Sequence, residues 1–148
     1  MNYKTFDIID TIDTYPNTTG IIALSSSINI AVLAYPEESA GYVRTKFYEK
    51  KISTLINCHD NPIACLGINS KGTLLSTAST RGTLIRIFNS EDGFLLQTVR
   101  RGISKTNIYH LKFDASDKFL MTCSNKGTLH IFSLRTAFLN LKEKQFNE

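Results

Sequence analysis

The chain has 148 residues, 42% hydrophobic and 20% charged, with a formal net charge of +4. These numbers fit one domain with a packed core and exclude global disorder. No apolar run approaches the roughly 20 residues that a spanning helix needs, and Met1-Asn2-Tyr3-Lys4-Thr5-Phe6-Asp7 lacks the basic and apolar regions of a secretory signal. Three cysteines, Cys58, Cys65 and Cys123, are odd in number and show no C-x-x-C spacing. That argues against a disulfide framework and a zinc site; no metal or cofactor is expected, and a reducing compartment is the default. Residues 1–74 hold six Lys/Arg against seven Asp/Glu, whereas residues 75–148 hold eleven against six. A basic second half points to an anionic partner: nucleic acid, acidic protein or anionic lipid.

Strand signals dominate in chain order. Ile28–Tyr35, Ile63–Ile68, Leu74–Ser79, Leu84–Phe88, Ile108–Phe113, Phe119–Ser124 and Leu129–Phe132 are short runs rich in Ile, Leu, Val, Thr and Phe. Turn clusters separate them, among them Asn69-Ser70-Lys71-Gly72, Asn89-Ser90-Glu91-Asp92-Gly93 and Asp114-Ala115-Ser116-Asp117. Short strands at this spacing indicate an all-β fold. The tail from Leu134 to Phe146 has no clean apolar stripe.

Sliding residues 63–84 against 108–129, an offset of 45, gives eight identities in 22 positions. They are Ile63/Ile108, Leu66/Leu111, Leu75/Leu120, Thr77/Thr122, Ser79/Ser124, Gly82/Gly127, Thr83/Thr128 and Leu84/Leu129. Gly-Thr-Leu-Ile-Arg-Ile-Phe then becomes Gly-Thr-Leu-His-Ile-Phe, one residue shorter. A period near 45 with four short strands per unit is the signature of β-propeller blades. The pattern predicts strands at 62–69, 73–80, 83–88 and 94–100 in one blade and at 107–113, 118–124 and 127–133 in the next. The predicted units are the end of a preceding blade (1–18), a degenerate blade (19–48), a blade with a first site (50–100), a blade with a second site (101–135) and a tail or membrane loop (136–148). This is about three blades, whereas closed propellers have typically 4–8. A fragment, a split gene product or an arc completed by a partner is expected, because a short arc exposes strand edges.

The stretch Ser76-Thr77-Ala78-Ser79-Thr80-Arg81-Gly82-Thr83-Leu84-Ile85-Arg86-Ile87-Phe88, then Val99-Arg100-Arg101-Gly102, then Cys123-Ser124-Asn125-Lys126-Gly127-Thr128-Leu129-His130-Ile131-Phe132, resembles the PROPPIN family. Asn17-Thr18-Thr19-Gly20-Ile21-Ile22-Ala23-Leu24-Ser25 and Ala34-Tyr35-Pro36 add weaker matches, so the resemblance covers roughly residues 10–133. Two departures stand out: Val99 replaces the usual Phe or Leu, and Asn125 replaces a common Asp. The resemblance implies a seven-bladed, WD40-like propeller that binds phosphatidylinositol 3-phosphate and phosphatidylinositol 3,5-bisphosphate. It implies a membrane-recruited scaffold in autophagy or endolysosomal traffic, without enzymatic activity. Its place would be cytoplasmic and peripheral on preautophagosomal, endosomal or vacuolar/lysosomal membranes. Its partners would be phosphoinositide headgroups, autophagy-type proteins and the missing blades.

The same resemblance implies two headgroup sites. The first comprises His59, Thr77, Ser79, Thr83, Arg86 and Arg100; the second comprises Arg101, Ser124, Thr128 and His130, with Lys126 nearby as a further cation. Independently, adjacent residues of an extended chain point to opposite sides, so Arg100 and Arg101 enter different pockets. Guanidinium groups donate paired, charge-assisted hydrogen bonds to phosphate. Gly102 permits a sharp turn or a close approach to the backbone. The extra residue near Arg86 predicts a bulge in its strand. With ordinary pKa values, His59 and His130 would gain charge near pH 6 and strengthen phosphate binding.

Each residue also has a plainer reading. An arginine pair is often a solvated surface feature, His59 can brace a turn, and His130 can belong to a core. The Ser/Thr residues can form turns, and His110, aligned with Cys65, reads as structural. No G-x-S-x-G elbow, Walker A loop or H-E-x-x-H motif supports an enzyme. Nucleic-acid binding lacks aromatic residues interleaved with the basic ones. The rival reading is a WD40-type protein-interaction scaffold without lipid binding. In the tail, Phe138, Leu139, Leu141 and Phe146 would contact lipid if it begins a membrane loop.

Overall fold

The computed structural model describes residues 6–135, and every regular element among them is a strand. Eleven strands run in chain order: β1 Ala23–Leu24, β2 Val32–Pro36, β3 Tyr42–Phe47, β4 Ile52–Asn57, β5 Ile63–Ile68, β6 Leu74–Ser79, β7 Leu84–Asn89, β8 Leu95–Arg100, β9 Ile108–Phe113, β10 Phe119–Ser124 and β11 Leu129–Ser133. They form three antiparallel sheets of consecutive strands: β1 to β4, β5 to β8, and β9 to β11. The first strands of successive sheets lie side by side, β1 against β5 and β5 against β9. Antiparallel meanders stacked about their first strands are the blades of a propeller sector.

Alternation explains the stacking. In β3, Val43, Thr45 and Phe47 are buried, while Tyr42, Arg44 and Lys46 are partly exposed. The middle sheet has neighbours on both sides, so all six residues of β6 are buried. Ala34, Val43, Ile56, Cys58, Ile63, Leu66, Leu75 and Phe88 fill the junction between the first and second sheets. Cys65, Leu74, Ala78, Ile85, Ile87, Ile108, Leu111, Phe113, Leu120 and Leu134 fill the next. Each fully buried large aliphatic side chain contributes roughly 1.5–3 kcal/mol.

The repeat is visible in backbone detail. Ala64 and Tyr109, 45 positions apart, are the unpaired extra residues where the β5–β6 and β9–β10 registers shift. Gly82 and Gly127 have φ of +63° and +71° in the equivalent β6–β7 and β10–β11 turns.

Three expectations change. The first sheet extends beyond residue 48, because β4 pairs with β3 from Phe47↔Ile52 to Tyr42↔Asn57. The bulge expected in the Arg86 strand lies in β8 instead: β6 and β7 pair without interruption, and Leu96 is the extra residue opposite the Ile87/Phe88 step. Residues 6–22 contain no strand, so the described part of the 1–18 unit supplies no end of a preceding sheet. The tail from 136 onward, with Phe138, Leu139, Leu141 and Phe146, lies outside the described residues.

Candidate functional site

The β8 strand separates the two arginines. Val99 packs against the cluster between the second and third sheets, which turns Arg100 to the opposite face. That face also carries Thr98, whose register partner on β7 is Arg86. Arg86 in turn pairs with Thr77 on β6. Thr77, Arg86 and Arg100 therefore share the face of the middle sheet that looks toward the first sheet.

The link between β4 and β5 completes this group. His59 is 6% exposed, and its Nε2 lies 2.9 Å from Thr77 Oγ1. Arg86 Nη1 donates to the Cys58 carbonyl at 2.6 Å. Burial and the neighbouring Arg86 charge push the His59 pKa down to about 4. His59 is thus neutral near pH 6, and the gain of charge expected there does not occur: its ring has left water beside a cation. Burial pushes the Cys58 thiol up to about 12, so it is no nucleophile at neutral pH. Ser79 is buried at the start of the β6–β7 turn, where its Oγ accepts from the Arg81 amide at 3.3 Å. The Thr83 carbonyl accepts from the Arg101 amide at 2.9 Å, carrying the pairing of β7 and β8 one residue beyond Arg100.

Arg101 emerges on the third-sheet side. Its Nε donates to the Gly82 carbonyl at 2.7 Å and its Nη2 to the Ser104 carbonyl at 2.5 Å. Lys126 donates to Ser104 Oγ, so the β8–β9 link joins Lys126 to Arg101. Ser124 Oγ accepts from the Lys126 amide at 3.4 Å, and Thr128 is exposed after the β10–β11 turn. His130 pairs in register with Thr122 and stacks on Phe132 at 6.1 Å between ring centroids. His130 Nδ1 and Thr122 Oγ1 are buried without a hydrogen-bond partner among the described residues. Gly102 has an ordinary φ and open space around it, so the chain needs no glycine there for a sharp turn. His110, read as structural, is exposed on β9.

Electrostatics divides the sheets. The ion pairs among the described residues are Arg44–Glu37, Lys46–Asp10 and Lys50–Glu91. None involves Arg81, Arg86, Arg100, Arg101, Lys105 or Lys126. Arginines satisfied only by carbonyls retain their positive charge for an external anion. Thr122, absent from the candidate set, is the residue that sequence reasoning missed. Its alignment with Thr77 in the repeat was the available signal.

The three sheets define a propeller sector, and the arginines at their junction form no ion pair among the described residues. The PROPPIN family model matches residues 1–144, and the chain belongs to that family. It is 41% identical over 129 residues to Autophagy-related protein 18e of Arabidopsis thaliana, covering 87% of this chain and 34% of that protein. It is 36% identical over 152 residues to WD repeat domain phosphoinositide-interacting protein 2 of Gallus gallus, covering 99% of this chain and 34% of the relative. The crystal structure of Kluyveromyces marxianus Hsv2 superposes with a TM-score of 0.68 at 31% identity, over 78% of this chain and 38% of that one. Hsv2 of Kluyveromyces lactis gives 0.66 at 27% identity, over 75% and 36%. The chain therefore spans about a third of the length of the curated relatives it matches.

Proposed function

We propose that this chain binds the phosphorylated inositol headgroups of phosphatidylinositol 3-phosphate and phosphatidylinositol 3,5-bisphosphate. One headgroup sits on Arg86 and Arg100, with Thr77, Ser79, Thr83 and neutral His59 around them. The other sits on Arg101 and Lys126, with Ser124, Thr128 and His130. The observation that carries this reading is the set of arginines at the middle sheet, turned to opposite faces of β8 and paired with no carboxylate among the described residues. Membership of the PROPPIN family supports it, as does the phosphoinositide-interacting name of the Gallus gallus relative. The role is that of a membrane-recruited scaffold for autophagy or endolysosomal proteins, in a propeller whose other blades lie outside this chain.

The test is vesicle flotation of the wild type and of R100T/R101T. Each charge-assisted contact contributes roughly 1.5–3 kcal/mol, so the double variant loses at least about a hundredfold in vesicle affinity while keeping its β-sheet spectrum. Retained binding overturns the reading. Equal binding to all inositol isomers by the wild type favours the protein-scaffold alternative.

A further inference from the structure

The strand registers place Arg44 in the first sheet where Arg86 stands in the second. Arg86 pairs with Thr77 on one side and Thr98 on the other. Arg44 pairs with Tyr35 on one side and Leu55 on the other, at the corresponding step of its own sheet. Val43↔Pro36 matches Ile85↔Ala78, so Glu37 follows Pro36 as Ser79 follows Ala78. The first sheet thus has the arginine of the first candidate headgroup site, but a carboxylate in place of its buried serine.

That carboxylate holds the arginine. Glu37 Oε2 accepts from Arg44 Nε at 2.5 Å, and Arg44 Nη1 reaches Ser53 Oγ at 3.4 Å. The next cation on the same face, Lys46, is paired with Asp10 at 2.5 Å. The corresponding face of the middle sheet carries Arg86 and Arg100 without either carboxylate. A cavity of about 110 Å³ opens beside Glu37, lined among others by Tyr15, Asn17, Thr19, Gly41 and Tyr42. Its walls come from the link before β1, the β2–β3 hairpin, and Pro62 and Ile63 where the second sheet begins; Glu37, rather than Arg44, lines it. The middle-sheet counterparts of the first two are the link that carries His59 and the turn that carries Thr83.

We propose that the first sheet carries a third inositol phosphate position, built on Arg44 and kept closed by Glu37 acting as an internal anion. The inference rests on the headgroup reading and extends it to a new place. A carboxylate 2.5 Å from the guanidinium takes the Nε donor that a phosphate would use, and its charge repels an approaching phosphate.

The experiment titrates soluble inositol 1,3-bisphosphate calorimetrically into the wild type, E37S and E37S/R44T. E37S binds one more equivalent than the wild type, and E37S/R44T loses it again. E37Q keeps the bulk of the side chain and gains the same equivalent at lower affinity, which covers a failure of E37S to fold. The proposal is overturned if both E37S and E37Q keep the wild-type stoichiometry, or if the gain survives R44T. A wild type that binds nothing while E37S binds one equivalent would defeat the proposed function and uphold this inference. Vesicles with phosphatidylinositol 3-phosphate form a second arm: a gain there as well identifies the lipid headgroup as the source, and a gain with the soluble compound alone identifies free inositol phosphate.

Discussion

His130 occupies in the third sheet the register position that Arg86 occupies in the second: Thr122 faces His130 across β10 and β11, as Thr77 faces Arg86 across β6 and β7. The two positions differ in chemistry. Arg86 is a permanent cation already bonded to a carbonyl, whereas His130 keeps an unpartnered buried Nδ1. The two proposed sites are therefore unequal and separable.

Replacing one β8 arginine at a time tests that separation. R100T and R101T each bind one equivalent of soluble inositol 1,3-bisphosphate, against two for the wild type. Vesicle binding falls more steeply than soluble binding in both, because two sites on one membrane act through effective concentration. Calorimetry beside vesicle flotation reads both quantities.

His59 makes the fold acid-sensitive. Its native pKa of about 4 lies below the ordinary value of about 6.5. Burial in the neutral form therefore contributes stability above pH 6.5, which is lost as pH falls toward 4. The loss is on the order of 2 kcal/mol after allowing for solvent screening. Urea midpoints measured between pH 7.5 and 4 fall in the wild type, and H59Q flattens that part of the profile.

Gly82 and Gly127 give a matched pair. Both have positive φ, so alanine strains either turn by about 1–2 kcal/mol. A Cβ on Gly82 also lies 1.8 Å from the Thr106 carbonyl oxygen, whereas one on Gly127 meets nothing within 4 Å. G82A costs at least about 2 kcal/mol more than G127A, as read by chemical denaturation, and it displaces the link that follows Arg101.

Asp117 has a φ of +58° and is 3% exposed, with Oδ2 accepting from Asn69 Nδ2 at 3.0 Å. Burial raises its pKa, and Oδ1 has no partner among the described residues. A raised acid pKa means that the charged form opposes folding at neutral pH. Asparagine tolerates the same backbone and keeps an acceptor for Asn69. D117N raises the melting temperature at pH 7, and its advantage over the wild type shrinks as the solution is acidified.

The sequence showed the second and third sheets well because they are copies. An offset of 45 carries β5 onto β9 and β6 onto β10 with their bulges. The first sheet has no such copy, and the repeat pattern puts residues 52–57 in the unit 50–100, whereas β4 pairs with β3 in the first sheet. Ile52, Ser53, Leu55 and Asn57 are exposed, so β4 lacks a clear alternation. The opposition of Arg100 and Arg101 follows from strand geometry alone. The hold of Thr77 on His59, 18 residues away, and that of Glu37 on Arg44 depend on how strands pair and links fold back. At the fixed offset of 45 His130 falls opposite Ile85; the one-residue deletion and the shared Ile-Phe that follows set it against Arg86, and the hydrogen-bonded register agrees.

The Gly41 carbonyl accepts from both the Cys58 and His59 amides, at 3.0 and 3.1 Å. Gly41 itself has φ +82°, and a Cβ there would lie 1.8 Å from the His59 carbonyl oxygen. The link that carries His59 is therefore stapled to the β2–β3 hairpin of the preceding sheet, while the arginines around His59 belong to the next. In hydrogen-exchange terms the Cys58 and His59 amides open only when that hairpin opens, so they share its protection rather than that of a surface loop. A ligand bound across this junction clamps two cooperative units together. Its signature is slowed exchange in the hairpin around Gly41 as well as at the arginines it touches.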